Sequence, residues 1–324
     1  MIAPLPPGSV AAVLAPAGPA TPEQVAAIPP LYARFGLQVR LYPSCFASTG
    51  YLAGADELRL ADLHAALADD TVAAVHCMRG GYGSMRLLVG IDADLLRAKP
   101  KLLIGYSDIT ALHALWCLNG LPSLHAPMPA SDLVKPGPEA NADADALFVF
   151  LRQGLMAGQV IEPTLEPGAL RVPGHAEGRV VGGNLSLVAA LLGTAWAWPA
   201  GGLLFLEDVN EEPYRVDRLL TQLRLAGVLD AAAGFVLGSF TAPTAPDGVL
   251  NDMLLPLCRR QGKPLLGGWP AGHGTPNRPL PLGVRARLDV PEAGGGSLSL
   301  LAAESGPCPP NPNPSPDPKL KSRP

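Results

Sequence analysis

The chain predicts an α/β protein with a parallel sheet in its first half and a second, mixed unit after it. Three observations predict this. Short continuous apolar runs recur through the first half, helical patterns separate them, and strand-like runs outnumber helical ones late in the chain. Continuous apolar runs joined by helices are strands covered on both faces, which is the condition of a parallel sheet.

In order, Val10 to Ala15 reads as a strand, and Glu23 to Phe35 as a helix as far as the Pro29-Pro30 interruption. Gln38 to Tyr42 is a second strand. Asp56 to Leu67 places Leu58, Leu60, Leu63 and Leu67 near helical spacing, and Val72 to Met78 and Lys101 to Gly105 are the third and fourth strands. A helical pattern carrying Ile109, Leu112, Leu115 and Trp116 follows. Pro136, Gly137 and Pro138, and then the Gly- and Pro-bearing stretch 168–178, bracket a helix from Asp145 to Gln153 that Gly154 stops. Together they read as an interdomain connection. Beyond Gly178 come a strand at Leu203 to Leu206, a helix at Pro213 to Ala226, a strand at Phe235 to Leu237, a helix at Leu250 to Arg260 that Pro256 interrupts, and strands at Val284 to Val290 and Leu298 to Leu301. Eight of the eighteen residues from 307 to 324 are proline, so this tail is expected to be disordered. The resulting division is 1–133, a connection at 134–177, a second domain at 178–303 and a tail at 304–324.

A length of 324 residues fits about two domains. Charged residues are 16% and apolar ones 48%, which describes a large-cored globular protein. The net charge of −4, without basic runs interleaved with aromatics, argues against a nucleic-acid partner. The uncharged stretch Met1 to Thr21 lacks a basic n-region and is broken by five prolines, so it reads as mature chain. Val180 to Leu206 is long enough for a bilayer but is interrupted by Gly182, Gly183, Asn184, Gly193 and Pro199, and reads as strand, helix, strand rather than a membrane span. Five cysteines with no CxxC fit reduced thiols in a cytoplasm, and the spacing suggests no metal cluster and no cofactor.

Chemistry concentrates in a few segments. Leu102 to Thr110 runs from an apolar strand through Gly105-Tyr106-Ser107 into a helix, the layout of a nucleophile elbow, although the second glycine of that pattern is replaced by Ile109. Taken by itself, the segment favours Ser107 as a helix cap over Ser107 as a nucleophile. Arg79-Gly80-Gly81-Tyr82-Gly83 directly follows the third strand, where open parallel sheets bind ligands. Its glycines allow close backbone approach and can aim N–H groups at an oxyanion. It lacks the ending of a phosphate loop. Arg79 can fork onto a substrate carboxylate or pair with a structural acid. Among six histidines, His273 stands apart between Gly272 and Gly274, while Glu207 and Asp208 end an apolar strand and can orient an imidazole or cap the next helix. Spacing alone does not connect Ser107, Glu207 and His273.

The ordered set of segments resembles the L,D-carboxypeptidase family, the murein tetrapeptide carboxypeptidases and the related microcin C self-immunity peptidases. The resemblance rests on Gly50 to Gly54, Arg79 to Gly83, Gly105 to Asp108, Gly182 to Ser186, Leu206 to Val209 continuing to Tyr214-Arg215, and Gly272 to Gly274, and spans about residues 8 to 302. It implies a Rossmann-like parallel-sheet N-terminal domain contributing Ser107 as nucleophile, and a swivelling β/β/α C-terminal domain contributing His273 as base and Glu207 as its orienting acid. It overrides the cap alternative. It further implies an oxyanion hole from the backbone N–H groups of Asp108 and Gly81, a murein peptide substrate losing its terminal D-Ala, a cytoplasmic location and a homodimer. Arg79 is the candidate for the substrate carboxylate. Relatives that cleave peptidyl nucleotides stack the base on tryptophans of the interdomain segment, whereas residues 129–178 contain none and Trp196 and Trp198 come later. Cell-wall recycling is therefore favoured over antibiotic immunity. The rival readings are an amidotransferase-like enzyme using Cys77 or Cys117, and a two-domain protein that binds peptide without cutting it.

Overall fold

A computed structural model describes residues 1–165, 169–241, 244 and 247–302. The proline-rich tail expected to be disordered lies outside the described residues. The first sheet has six strands: β1 (Val10–Leu14), β2 (Gln38–Leu41), β3 (Val72–Cys77), β4 (Leu102–Gly105), β5 (Ser123–His125) and, from far along the chain, β12 (Leu280–Leu282). Their order is β12-β5-β4-β3-β1-β2, parallel except for β12. Helices α1 (Pro22–Arg34), α2 (Asp56–Ala68), α3 (Ser84–Leu87), α4 (Ala93–Ala98) and α5 (Thr110–Leu118) connect the parallel strands.

The second sheet has eight strands: β6 (Val160–Ile161), β7 (Arg171–Val172), β8 (Gly174–Asn184), β9 (Leu203–Val209), β10 (Gly234–Thr241), β11 (Leu265–Leu266), β13 (Arg285–Val290) and β14 (Ser297–Leu300). Their order is β6-β14-β13-β8-β9-β10-β11-β7, with a parallel centre from β8 to β11 and antiparallel flanks. Helices α7 (Leu185–Ala190), α8 (Pro213–Leu225), α9 (Val228–Ala231) and α10 (Asp247–Gln261) accompany it. The fold class is the one the apolar runs predict. Helix α6 (Pro138–Gln153) lies between the sheets in sequence and packs on the first through Phe148, whose ring stacks on Phe35 and meets Tyr32 edge-on. The stretch 134–177 thus holds α6 together with β6, β7 and the start of β8, all three of which pair into the second sheet.

Local chemistry explains two departures from the pattern reading. α1 does not stop at Pro29-Pro30. Thr21 and Gln24 form a reciprocal capping box, Pro22 occupies the first turn, and Val25, Ile28 and Tyr32 are buried on one face. Both prolines lie on the exposed face, and burial on the other side offsets the ~3 kcal/mol that an interior proline costs. α6 starts seven residues earlier than its apolar pattern because Pro138 serves as its first residue after Gly137, so a dipeptide that reads as a linker is a helix start. Strands β5 and β12 have only three residues each, too few for a periodicity signal.

Candidate active site

In a sheet ordered 2-1-3-4-5, crossovers leave β1 and β3 toward opposite faces, so their carboxyl ends open a crevice. Three loops meet there: Pro16 to Gly18 after β1, Arg79 to Gly83 after β3, and Tyr106-Ser107 after β4. Gly18 N–H donates to the Gly80 carbonyl at 3.2 Å, joining the first two. The adjoining cleft measures about 430 Å³, is lined by residues of the second and third loops, and also receives His273 and Asn277 from the second half of the chain.

Ser107 has φ +63°, a left-handed backbone rare for a residue with a side chain. Holding it costs about 1–3 kcal/mol, which the elbow between β4 and a single 3₁₀ turn (Ser107–Ile109) imposes. The helix-capping alternative for Ser107 is not what forms: the residues at the cap positions of that turn and of α5 are Tyr106 and Ile109. Its Oγ lies 3.0 Å from Nε2 of His273, whose Nδ1 lies 2.7 Å from Oε2 of Glu207. The His273 backbone N–H adds a 3.3 Å bond to the same oxygen. Ser107, His273 and Glu207, separated by up to 166 positions, thus form one hydrogen-bonded chain.

Glu207 is fully buried near the end of β9. Burial alone would raise its pKa, but His125 and His273 outweigh this and hold the carboxyl below the ordinary carboxylate range. For His273, burial works to lower the pKa, and the Glu207 carboxylate overcomes it, so the imidazole titrates above its ordinary value. Asp208 points to the opposite face, where it accepts from Asn184 Nδ2 at 2.8 Å and from Ser186 N and Oγ at 3.0 and 2.8 Å. Of the two carboxylates ending this strand, one faces the cleft and the other holds the start of α7.

The His273 loop is tightly restrained. Ser239 Oγ accepts from Gly274 N–H at 2.8 Å, and Asn277 Oδ1 accepts from Gly272 N–H at 3.1 Å. The Asn277 N–H donates in turn to Asp143 of α6. A Cβ at Gly272 would meet Glu207 Oε2 at 2.6 Å, so only glycine admits the carboxylate here. The Tyr106 ring packs 4.8 Å from that of His273, and its hydroxyl donates to Asp132 at 2.9 Å.

The other expected residues gather around the same point. Asp108 is buried, and its carboxylate accepts from Ser84 N–H at 2.8 Å while Ser84 Oγ donates to the Asp108 carbonyl at 2.5 Å, tying the elbow to the segment after the glycine loop. Gly80 sits against the hydroxyl: a Cβ there would lie 2.9 Å from Ser107 Cβ and 3.0 Å from Oγ. Gly81, φ +116°, backs onto Gly18. Arg79 is half-buried, lines the cleft, and donates from Nη1 to the Pro19 carbonyl at 3.0 Å.

Several supports carry no sequence signal. Arg59, fully buried on α2, donates to the carbonyls of Pro16 and Gly83 and pairs with Asp56, so it holds two of the three cleft loops. In sequence it is one arginine in an amphipathic helix. Asp132, at the end of the expected first domain, and Asp143, in the expected connection, belong to no motif. The rival thiols are buried in the core: Cys77 lies in β3, where burial pushes its thiol well above the ordinary range, and Cys117 lies on α5. Trp198 is buried and Trp196 packs against the core, and neither lines the cleft. Among the described residues, no group of three His, Cys, Asp or Glu side chains is arranged to hold a metal ion, and no helix is long and apolar enough to cross a membrane.

Fold and site together define a two-domain α/β protein whose interdomain cleft contains a continuous serine–histidine–glutamate hydrogen-bond chain. Residues 11–126 match the family model of the LD-carboxypeptidase N-terminal domain and residues 177–288 that of the C-terminal domain. The chain belongs to the LD-carboxypeptidase family, a family of hydrolases. It is 38% identical over 295 residues to a probable murein peptide carboxypeptidase of Bacillus subtilis, covering 88% of this chain and 90% of the relative. A microcin C7 self-immunity protein of Escherichia coli is 27% identical over 272 residues, covering 74% of this chain and 77% of its own. The crystal structure of a muramoyltetrapeptide carboxypeptidase from Oxalobacter formigenes superposes with a TM-score of 0.76 at 30% identity, covering 90% of this chain and 99% of that one.

Proposed function

We propose that this protein is a serine-type L,D-carboxypeptidase that removes the terminal D-Ala of a murein tetrapeptide. The observation that carries the reading is the unbroken contact chain from Ser107 through His273 to Glu207 in the cleft between the sheets. A serine hydroxyl is a poor nucleophile at neutral pH until a base within hydrogen-bond reach takes its proton. His273 accepts it at Nε2 because Glu207 holds Nδ1–H and stabilises the imidazolium. Ser107 Oγ then attacks the carbonyl carbon of the L,D-amide. The carbonyl oxygen takes up negative charge opposite the N–H groups of Asp108 and Gly81, near the start of α5. His273 returns the proton to the departing amine of D-Ala, and water attacks the acyl-enzyme by the reverse relay.

Arg79 serves the free carboxylate of the terminal residue, since a guanidinium is suited to a carboxylate and this one borders the cleft. The murein peptide relative and the muramoyltetrapeptide structure support this substrate class over the peptidyl nucleotide of the more distant immunity protein, and the cleft lining contains no tryptophan on which a base would stack. The reading assigns 1–133 to the nucleophile domain and 178–303 to the domain supplying Glu207 and His273, joined by 134–177; the family matches at 11–126 and 177–288 support it. It includes a cytoplasmic, homodimeric enzyme. The test is release of D-Ala from L-Lys- and diaminopimelate-containing tetrapeptides, with a peptidyl adenylate in parallel. Wild type should release D-Ala and Ser107→Ala should not. Tight binding of intact tetrapeptide without release would turn the reading toward a binding protein.

A further inference from the structure

His273 engages one oxygen of the Glu207 carboxylate and leaves the other without a hydrogen-bond partner, although it is inaccessible to solvent. Both ring nitrogens of His125, fully buried, are also unpartnered. Unpaired buried polar atoms are costly, most of all on an ionised group. These atoms face one another: His125 Nε2 is 3.8 Å from Glu207 Oε1. We propose that His125 is a positioning residue for Glu207, carrying its proton on Nε2 and donating it to the oxygen that His273 does not use. The carboxylate is then held between two imidazoles. A side-chain shift of under 1 Å closes the present gap.

The contact also crosses the molecule. His125 ends β5 of the first sheet, paired in register with Leu280 of β12, whereas Glu207 lies near the end of β9 of the second. A bond between them sets the carboxylate against the sheet that carries Ser107. The His125 ring has little freedom, because the Phe205 ring meets it edge-on at 4.9 Å and the Tyr106 ring lies at 5.5 Å. The other titratable groups facing this cluster have partners of their own. Tyr106 donates to Asp132. His113 of α5, ring centroid 6.4 Å away, bonds Ser123 and the Gly105 carbonyl, and Asp208 bonds Asn184 and Ser186.

The inference rests on the Ser107–His273–Glu207 hydrolase reading, and its test separates the two. Removing the donor leaves the carboxylate less compensated, so the Glu207–His273 pair holds an added proton more tightly, wherever within the pair that proton resides. His125→Leu should lower kcat by roughly tenfold to a hundredfold, the range for losing a hydrogen bond to a charged group, with little change in KM. Its acid limb of kcat/KM should move to higher pH by about half a unit or more. His125→Gln, which keeps an N–H near Nε2, should restore the limb. A packing role alone lowers activity at every pH without moving the limb, and an unmoved limb overturns the proposal. Should His125→Leu fail to fold, nitrogen-15 histidine spectra of the wild-type protein decide it: a proton on His125 Nε2 supports the donor, and a neutral ring protonated only on Nδ1 overturns it. Absence of D-Ala release by wild type would defeat the hydrolase reading and leave the spectroscopic result standing.

Discussion

Replacing Gly80 with alanine tests the cleft at its tightest point. The added Cβ would lie 2.9 Å from Ser107 Cβ, 3.0 Å from its Oγ and 3.5 Å from the Asp108 nitrogen. Carbon atoms rest about 3.5–4.0 Å apart, so one side must retreat by about half an ångström or more. Neither neighbour is the loose end of a long side chain. Ser107 is already held at φ +63°, and its Oγ–Nε2 contact of 3.0 Å would stretch to the edge of a useful hydrogen bond. The N–H of Asp108 would move with it. Since misplacement of reacting groups by about 1 Å costs roughly a hundredfold, Gly80→Ala should lower kcat/KM by on the order of a hundredfold. Gly80 is not in the left-handed region, so the backbone accepts alanine and thermal unfolding should shift by only a few degrees. The assay is D-Ala release across substrate concentration, with a melting curve on the same preparation. Activity within about threefold of wild type would refute both the close approach and the role given to the elbow.

Arg79→Ala should raise KM for a tetrapeptide with a free terminal carboxylate by about tenfold or more with kcat largely kept, and leave the carboxamide analogue unaffected; equal losses on both peptides would remove Arg79 from carboxylate recognition. Because Glu207 raises the pKa of His273, and only the neutral imidazole accepts the serine proton, kcat/KM should decline with falling pH from above the ordinary imidazole value, and Glu207→Gln should shift that limb to lower pH. Stability has a separate acid dependence: burial lowers His76 to about 4 and His113 to about 3, so the unfolded chain binds more protons below about pH 6.5. Folding stability from these residues is complete above about 6.5 and is lost as pH falls through 4 and 3, on the order of 3 kcal/mol for His76 alone, while His273, with its raised pKa, acts in the opposite sense above about pH 6.5. Urea unfolding that is as resistant at pH 4.5 as at pH 7 would contradict this balance.

Much of the fold is legible because its signals are local. β1 and β4 are continuous apolar runs and β3 is one broken only by His76, and buried parallel strands demand them. The elbow is legible for the same reason, as a strand, a turn and a helix follow within nine residues. The helix through Pro29-Pro30 is not, since what overrides the prolines is the packing of Ile28 and Tyr32 against elements distant in sequence. The choice between Glu207 and Asp208 is likewise hidden in the residues alone. Both are acids at one strand end, and only the positions of Asn184, Ser186 and His273 in space distinguish their faces. Gly80 as the residue touching Ser107, and Arg59 as the clamp on two loops, have no signature, because a close approach and a buried pair are properties of contacts rather than of spacing.

A nucleophile on one sheet and its base beyond another can be aligned only if the two sheets are tied near the site, and the chain supplies such ties on several sides. After leaving the second sheet at β11, it passes through the His273 loop and enters the first sheet as β12, antiparallel to β5, before returning at β13. The histidine loop is thus anchored at both ends, one in each sheet. Asp143 of α6 holds Asn277, three residues before the β12 strand, so the same loop is fixed from the side. Gly183 completes the seam: a Cβ there would lie 2.6 Å from Thr110 Oγ1, and with glycine the Asn184 N–H reaches that hydroxyl at 3.0 Å, locking β8 onto the helix that follows Ser107. Gly183→Ala should therefore push the sheets apart at the base of the cleft and lower kcat without touching substrate. Its effect should be additive with that of Arg79→Ala, which acts at the mouth, and marked non-additivity would show that the seam and the mouth are one coupled element.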